Sequence, residues 1–476
     1  RISIEIISPL SGVVYIISIG ILWIPGLTFL SVLKVISPDD SSPCFSFSIW
    51  NAFVLSGAMD DPVSFTVSFD PGDARNIKMK DGSGEEVPLQ INETLKYPDG
   101  SLRKVSAVFI ARGVPSIGYK TYYVVPEQKN MEVFSASGKT VETPFYTVQF
   151  ENGGIRSIYD KELKKELLKT GKIGGGDVFT LKSVGNGAGE FADIQKTEME
   201  GFDIVSKHSP EWKVTENGPV YIAFKIRQSI RNAVVENSVK IYKAIKKIDF
   251  DVALLNWEGV LYREFRFILP LNMANGQVAY EVPYGVLEVG KDEIAGAAGE
   301  RYTTNCSEVH PRGVENWIGA SDADFGVTMS TSTAVADYID PTGLADGALP
   351  LQAIMLASRR SCHGEGNEYL QTGNHYYNFS LTSHKPGYHN GYHFGRQANE
   401  KMIAIVDPDP AMKSFLPEEA CFFSVDKPNI SISAIKKAEN ENGTIIRLFE
   451  TGQGETQINI NSWFGIQDAE KTNMIE

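Results

Sequence analysis

The sequence is poor in cysteine and has no cluster of basic residues. Its four cysteines, Cys44, Cys306, Cys362 and Cys421, lie far apart, so they form neither a CxxC zinc pair nor a disulfide scaffold. The formal net charge is −14, from 45 Lys and Arg against 59 Asp and Glu. Because nucleic-acid binding depends on basic patches, we do not expect nucleic acid as a partner.

Several motifs of nucleophilic and nucleotide chemistry are also missing. The chain has no G-x-S-x-G turn, no P-loop and no G-x-G-x-x-G after a predicted strand. The glycine-rich segment 171–195 lacks the Gly-Lys-Ser/Thr ending with which a P-loop holds a phosphate, although its glycines allow a ligand or neighbour to approach the backbone. Within it, Glu190 and Asp193 are either paired carboxylates for glycoside chemistry or two solvated acids.

Residues 6–33 contain no charged side chain and are long enough to span a membrane. Pro9 and Pro25 interrupt this stretch, and many of its residues are β-branched, which disfavours a helix. Three alternatives follow for this apolar leader: a membrane anchor, non-native sequence, or buried strands. The compartment is left open by the sequence, with the cytoplasm and a vacuolar or lysosomal-type compartment as candidates.

Beyond the leader, apolar and polar residues alternate with a period of two, which is typical of half-buried strands. Clear examples are the segments 63–69, 104–111, 220–230 and 262–271. Only 160–171 suggests a helix, with Leu163, Leu167 and Leu168 on one face. The predicted fold class is therefore all-β, with consecutive antiparallel β-sandwiches. The expected divisions are an apolar leader (1–44), a small β-sandwich (45–135), a large sandwich (136–407) and a C-terminal β domain that we expect to be truncated (408–476).

Five of the seven histidines lie in one polar and aromatic stretch, 358–393. Its His389 and His393 have the i, i+4 spacing of zinc-binding helices, but the glycines around them disfavour a helix. Hydrogen-bonded loop histidines are the alternative to a metal site here. Side chains of this mixture also suit a ligand rich in hydroxyl groups.

Two arginines, Arg359 and Arg360, follow an apolar predicted strand at the start of this stretch. Strand alternation sends one guanidinium to each face, where its fixed donors could bind a carboxylate or sugar hydroxyls. The alternative is a structural ion pair with a nearby acid such as Glu365 or Glu368.

Several segments together resemble the C-terminal half of glycoside hydrolase family 38, the retaining α-mannosidases. The resemblance covers roughly residues 63–460 and includes FYTVQFENGGIRSIYDKELKKELL, GGGDVFTLKSVGNGAGEFADIQ, YEVPYGVLEVG, VENWIGASDADFGVTMS and LASRRSCHGEGNEYLQTGNHYYNFSLTSH. It implies a set of β-sandwiches, of which the largest is similar to the galactose-mutarotase-like supersandwich.

The resemblance also implies a division of labour. Family members are zinc-dependent, and an N-terminal α/β barrel supplies the Asp metal ligands, the nucleophile and the acid, while a helical bundle supplies a metal-binding His. None of these matches this chain, so we expect it to contain no catalytic residue and to bind no metal. With the missing catalytic domain as its partner, it is expected to serve hydrolysis of terminal α-mannosides in mannose-containing glycans. Homo-oligomers are common in the family.

The resemblance suggests which residues complete the sugar site. Arg359 and Arg360 match the family's arginine pair, of which one arginine lines the substrate cleft. Glu190 and Phe191 lie in GAGEFAD, at the other position where the family brings a loop towards the site. Asn367 and Glu368 complete the candidate substrate-binding set. The open alternatives are a stand-alone carbohydrate-binding module and a mutarotase-like protein, which would need a His and a Glu facing one sugar-sized pocket.

Overall fold

The fold consists almost entirely of antiparallel strands. The computed structural model describes residues 2–6, 14–21, 45–51, 58–129, 138–184, 196–293, 311–360, 366–406, 417–439, 443–452 and 454–472. In these residues helix is confined to the 3₁₀ turns Val205–His208 and Tyr388–Asn390 and to α1 (Tyr392–Gln397). None of the described helices is long and apolar enough to cross a membrane. The all-β prediction is confirmed.

The strands are numbered in chain order. They are β1 (Ile2–Ile6), β2 (Val14–Ile21), β3 (Phe45–Asn51), β4 (Met59–Ser68), β5 (Asn76–Asp81), β6 (Glu86–Val87), β7 (Leu89–Lys96), β8 (Leu102–Val114), β9 (Gly118–Glu127), β10 (Thr140–Glu142), β11 (Tyr146–Glu151), β12 (Gly154–Asp160), β13 (Lys165–Glu166), β14 (Asp177–Val184), β15 (Lys196–Ile204), β16 (Lys213–Asn217), β17 (Tyr221–Ile230), β18 (Ala233–Tyr242) and β19 (Ile248–Trp257). They continue as β20 (Arg263–Leu271), β21 (Gln277–Val282), β22 (Gly285–Glu288), β23 (Arg312–Gly313), β24 (Trp317–Ser321), β25 (Gly326–Thr331), β26 (Val335–Asp337), β27 (Leu349–Ala357), β28 (Arg359–Arg360), β29 (Glu368–Tyr369), β30 (Gly373–His384), β31 (Ile403–Val406), β32 (Glu419–Cys421), β33 (Phe423–Val425), β34 (Ile430–Lys437), β35 (Thr444–Glu450), β36 (Thr456–Ser462) and β37 (Ile466–Thr472).

The chain divides into two compact units. The first contains residues 1–134, 218–220 and 400–476, and the second contains residues 135–217 and 221–399. The four divisions expected from the sequence stay predictions. Within the first unit, β3 pairs with both β9 and β31, and β32 pairs with β9, so strands from distant parts of the chain share one sheet.

The first unit shows how sequence alternation produces a sandwich. Along β4, Val63, Phe65 and Val67 are buried and the residues between them are exposed. Phe109 of β8 packs edge-on against Tyr122 of β9, with ring centroids 4.8 Å apart. Because β8 belongs to the sheet β4-β8-β7 and β9 to the sheet of β3, this contact joins the two layers through their shared core.

Two strands lie within the apolar leader. β1 pairs with β36, and β2 pairs between β35 and β37, all antiparallel. Of the three alternatives for the leader, strands are what the structure has at these two segments. The rest of residues 1–44 lies outside the described residues.

The second unit is built on two large sheets. The six-stranded sheet has the order β15-β14-β20-β27-β26-β23, and the nine-stranded sheet has the order β16-β17-β18-β19-β30-β25-β24-β21-β22. Phe267 of β20 stacks on Phe379 of β30 with ring centroids 4.2 Å apart, and Phe250 of β19 meets Phe267 edge-on at 5.1 Å. The sheets therefore face each other across one core, which is the supersandwich that the resemblance implied.

The prediction of a helix over 160–171 is wrong. The Asp160 carboxylate accepts the backbone N–H of Leu163 at 2.8 Å, which closes a turn instead of a helix. Lys164 then has a φ of 58°, outside the right-handed helical region, and the chain returns as β13 beside β12. Leu167 and Leu168 are nevertheless buried in the core. Their apolar character predicts this burial, but their spacing does not reflect a helix.

Candidate functional site

The arginine pair lies in a short strand pair at the end of β27. β28 holds Arg359 and Arg360, and it pairs antiparallel with β29, so that Arg359 is opposite Tyr369 and Arg360 is opposite Glu368. Because side chains alternate along a strand, the two guanidinium groups have different surroundings, as the sequence predicted.

Arg359 is a largely buried residue with structural contacts. Its side chain is 12% exposed, and its Nη2 donates to Oε2 of Glu264 on β20 at 2.8 Å. Its Nη1 donates to the carbonyl oxygen of Ser183 on β14 at 3.3 Å. Burial is the main influence on this group and lowers the pKa of the guanidinium, against the opposing attraction of Glu264. Arg359 therefore ties the chain just after β27 to β20, the strand beside it, and to β14, the next strand of the sheet.

Glu264 belongs to a buried network of charged and polar groups. Its Oε1 accepts from Nε of Arg266 at 2.5 Å, and Arg266 Nη1 donates to Asp337 at 2.8 Å and to Gln352 at 3.0 Å. Burial acts to lower the pKa of Arg266, but the attraction of Glu264 and Asp337 outweighs it and raises that pKa. With Arg359 included, two positive and two negative groups balance inside the six-stranded sheet.

Arg360 is the accessible member of the pair. Its guanidinium pairs with the carboxylate of Glu368, and the two side chains are 36% and 41% exposed. Asn367, next to Glu368, is exposed as well. Arg360 and Glu368 therefore meet at the surface, with Asn367 adjacent in the chain, whereas Arg359 binds Glu264 of the six-stranded sheet. The structural ion pair that the sequence offered as an alternative is present in the case of Glu368.

Some candidate residues fall outside the described part of the chain. These are Glu190, Phe191, Asp193 and Glu365, so the acid pair and the second loop stay predictions. Ser183, whose carbonyl binds Arg359, precedes the Glu190 segment by only a few residues.

The histidines do not assemble a metal site in the residues that the structure describes. His389 lies in the turn Tyr388–Asn390, where its ring nitrogen is 3.2 Å from the Asn390 amide. His393 lies in α1, and its ring meets that of Tyr392 edge-on. No group of three His, Cys, Asp or Glu side chains that could hold a metal ion occurs in the described ranges. The glycines around this histidine pair disfavour a helix, so the sequence did not predict α1. Gly391 lies just before α1 and does not interrupt it.

One histidine does share a cavity with an acid, as a mutarotase-like protein would need. His384 and Glu288 both line a cavity of about 130 Å³ in the nine-stranded sheet. However, His384 Nδ1 donates to the carbonyl of Lys385 at 2.7 Å, and Nε2 accepts from Thr328 Oγ1 at 3.0 Å. Burial lowers the pKa of His384 and favours the neutral ring, and Glu288 pairs with Lys291. With both ring nitrogens engaged, the geometry does not favour proton abstraction from a sugar.

The buried network was missed by sequence reasoning. The segment around Glu264 and Arg266 alternates charged and apolar residues, which predicted a half-solvated strand. Every residue of β20 is instead buried, because a core covers one face and the charged network fills the other. The density of charge within a long apolar strand, REFRFILPL, was the available signal.

Comparison with known proteins supports the resemblance. Residues 141–335 match the glycosyl hydrolases family 38 C-terminal domain, and residues 429–476 match the family 38 C-terminal β-sandwich domain. Together the two matches cover about half of the chain. No curated protein sequence matches it.

Solved structures share the fold. An α-mannosidase from Enterococcus faecalis V583 matches 88% of this chain and 52% of its own length, at 14% identity and a TM-score of 0.65. A family 38 protein from Enterococcus faecalis matches 91% of this chain and 55% of its own, at 12% identity and a TM-score of 0.65. This chain thus spans about half the length of these two proteins. The chain belongs to glycosyl hydrolase family 38 and corresponds to the C-terminal β-sandwich half of its members.

Proposed function

We propose that this chain is the C-terminal part of an α-mannosidase that hydrolyses terminal α-mannosides with retention. Retaining hydrolysis needs two carboxyl groups about 5 Å apart on either side of the glycosidic bond. We assign these groups, and the zinc ligands, to the catalytic domain that completes the enzyme. Among the residues that the structure describes, no group of three His, Cys, Asp or Glu side chains could hold a metal ion.

The role that we assign to this chain is to complete the sugar site. The observation that supports it most directly is the partly exposed Arg360, held opposite Glu368 in the β28–β29 pair. A guanidinium offers several fixed donors and a carboxylate offers acceptors, a combination that suits neighbouring sugar hydroxyls. Asn367 adds an amide beside them.

Arg359 would act as a positioning residue for this site. It anchors the start of β28 to Glu264, so that Arg360 projects from a fixed backbone. Its second bond, to Ser183, holds the end of β14, from which the segment with Glu190 and Phe191 continues. In this proposal Glu190 and Phe191 approach the same sugar from that segment.

The test uses the complete enzyme, in which this chain is joined to its catalytic domain. Arg360→Ala is expected to lower kcat/KM for 4-nitrophenyl α-mannoside roughly 10- to 100-fold, since a hydrogen bond to a charged donor contributes about 1.5–3 kcal/mol. Arg227→Ala is the matched control, because Arg227 is also exposed and also pairs with a glutamate, Glu236. Equal activity of the Arg360→Ala enzyme and the control would refute a role in the sugar site.

The chain by itself is expected to be inactive. Purified without a catalytic domain and supplied with zinc, it should give no turnover of the same substrate. Zinc-dependent release of nitrophenol by this chain alone, abolished by a chelator, would show that it has its own catalytic groups and would overturn the proposed division between the two parts of the enzyme.

A second candidate function is binding of carbohydrate without hydrolysis. Two tyrosines of the second unit are strongly exposed: Tyr369, opposite Arg359, at 51%, and Tyr376 of β30 at 72%. Exposed aromatic faces can stack on sugar rings. Calorimetry with mannose and manno-oligosaccharides tests this function: heat that saturates, and that is lost in Tyr376→Ala, supports it, and no binding at millimolar ligand refutes it.

A further inference from the structure

A second polar cavity lies in the same unit, at a place that the proposed mannosidase function does not use. Its volume is about 310 Å³, which is at the lower end of the range for small-molecule sites. Three segments line it: the turn after β11, the chain leading into β14, and the 3₁₀ turn Val205–His208.

The cavity is positively charged in a protein that is acidic overall. Arg156, Lys172 and Lys207 line it, and Glu151 is the one acid among the described residues of its lining. Glu151 is already paired with Arg156 at 3.0 Å. Lys172 and Lys207 have no acidic partner in the part of the chain that the structure describes. Two exposed lysines without an acidic partner in the described ranges therefore line one small cavity, although the whole chain has a net charge of −14.

The wall of the cavity is fixed by backbone contacts. Ile155 and Gly175 exchange two backbone hydrogen bonds of 2.8 and 2.7 Å, which joins the turn after β11 to the segment of Lys172. Gly154 and Gly174 touch at this junction, and a β-carbon on Gly154 would lie 2.9 Å from the Cα of Gly174. The close packing gives Lys172 a defined position on an ordered segment.

The segment of Lys207 is held by a buried carboxyl group. Asp177 is fully buried, and its Oδ1 accepts the backbone N–H of Ser206, a lining residue, at 3.3 Å. Its Oδ2 has no hydrogen-bond partner within the described ranges. At the other end of the turn, His208 Nε2 lies 2.8 Å from Asp203 Oδ1. Both ends of the short turn are thus fixed.

We propose that this cavity binds a small hydroxylated molecule that has one oxyanion group, such as a sugar phosphate or a sugar acid. The ammonium groups of Lys172 and Lys207 bind the oxyanion, because each supplies three hydrogen-bond donors and a positive charge. Asn152, Thr170 and Ser206 in the lining offer partners for hydroxyl groups, and Ile173 and Ile204 offer an apolar surface. This site is independent of the proposed mannosidase function.

Calorimetric titration of the chain tests the proposal with four probes. Glucose 6-phosphate and glucuronate carry the oxyanion as a phosphate and as a carboxylate. Inorganic phosphate tests the anion without a sugar, and glucose tests the sugar without a charge. We expect saturable binding of glucose 6-phosphate or glucuronate that weakens as salt is added, weaker binding of phosphate, and none of glucose.

Variants separate a built site from general charge attraction. The double variant Lys172→Gln/Lys207→Gln should weaken binding at least ten-fold. Lys164→Gln is the matched control, because Lys164 is an exposed lysine close in sequence that does not line the cavity. No saturable binding of either sugar anion at millimolar concentration, or equal losses in the control and the double variant, would overturn the proposal.

Discussion

Arg359, just after the end of β27, and the buried Glu264 of β20 form an ion pair, with Nη2 of the arginine 2.8 Å from Oε2 of the acid. Glu264 is 1% exposed and also binds Arg266, which in turn binds Asp337. Of the arginine pair that the family resemblance singled out, Arg359 is thus a structural residue. Of the adjacent pair, Arg360 is the one with a side chain open to a ligand.

The first prediction concerns the stability of this network. Arg266→Met leaves the buried carboxylate of Asp337 without its cation, and breaking one side of a buried pair costs roughly 3–5 kcal/mol of unfolding free energy. Arg360→Met removes only a surface pair and should cost about 0–1 kcal/mol. Urea unfolding monitored by tryptophan fluorescence measures both variants, and equal losses would contradict the burial-based ranking.

A second prediction concerns the core between the two large sheets. Phe267 is fully buried and contacts Phe250 and Phe379, so Phe267→Ala should lower the unfolding free energy by roughly 3–5 kcal/mol. Tyr376→Ala, on an exposed position of β30, is the control and should change it by about 0.5 kcal/mol or less. A small effect of Phe267→Ala would mean that the sheets do not depend on this contact.

The strands were predictable from the sequence because burial on one face of a sheet imposes a period of two. Val63, Phe65 and Val67 show this directly. The same rule gives the wrong burial for Glu264 and Arg266. They occupy the positions of the alternating pattern that should face solvent, but both are buried. Their partners are far away in sequence, with Arg359 95 positions from Glu264, and local patterns have no information about such pairs.

The candidate site was predictable in part for the same reason. Alternation correctly assigned Arg359 and Arg360 different surroundings, since it depends only on strand geometry. Which of the two arginines is the more buried depends on how the neighbouring sheet packs against them, and the sequence does not predict that packing. The helix expected over 160–171 failed because the Asp160 side chain accepts a backbone N–H and stabilises a turn, which competes with helix.

A third prediction follows from the buried carboxyl group of Asp177. Burial raises the pKa of Asp177 to about 7, although hydrogen bonds from Ser206 and Val178 oppose that shift. A raised carboxyl pKa means that the folded state prefers the protonated form. The resulting stability is fully present below about pH 4, the ordinary pKa in an unfolded chain, and is lost as the pH rises through 7.

The measurement compares the wild type with Asp177→Asn, which keeps the Oδ1 acceptor but cannot ionise. The unfolding free energy of the wild type minus that of the variant should fall by on the order of 4 kcal/mol between pH 4 and pH 8. Taking the difference cancels the titration of the other groups. A difference that is constant over this pH range would show that Asp177 ionises in the fold as readily as in the unfolded chain.

The last prediction tests the contact between two glycine segments beside the basic cavity. Gly154→Ala would place a methyl group 2.9 Å from the Cα of Gly174, and neither backbone can retreat because Ile155 and Gly175 are joined by two hydrogen bonds. Overpacking of this kind costs about 1–3 kcal/mol of unfolding free energy. Gly171→Ala is the matched control: its added β-carbon meets no atom within 4 Å, so its effect should stay within about 0.5 kcal/mol. If thermal or urea unfolding shows both alanine variants to be equally stable, the two segments are not in rigid contact, and the fixed position assigned to Lys172 loses its basis.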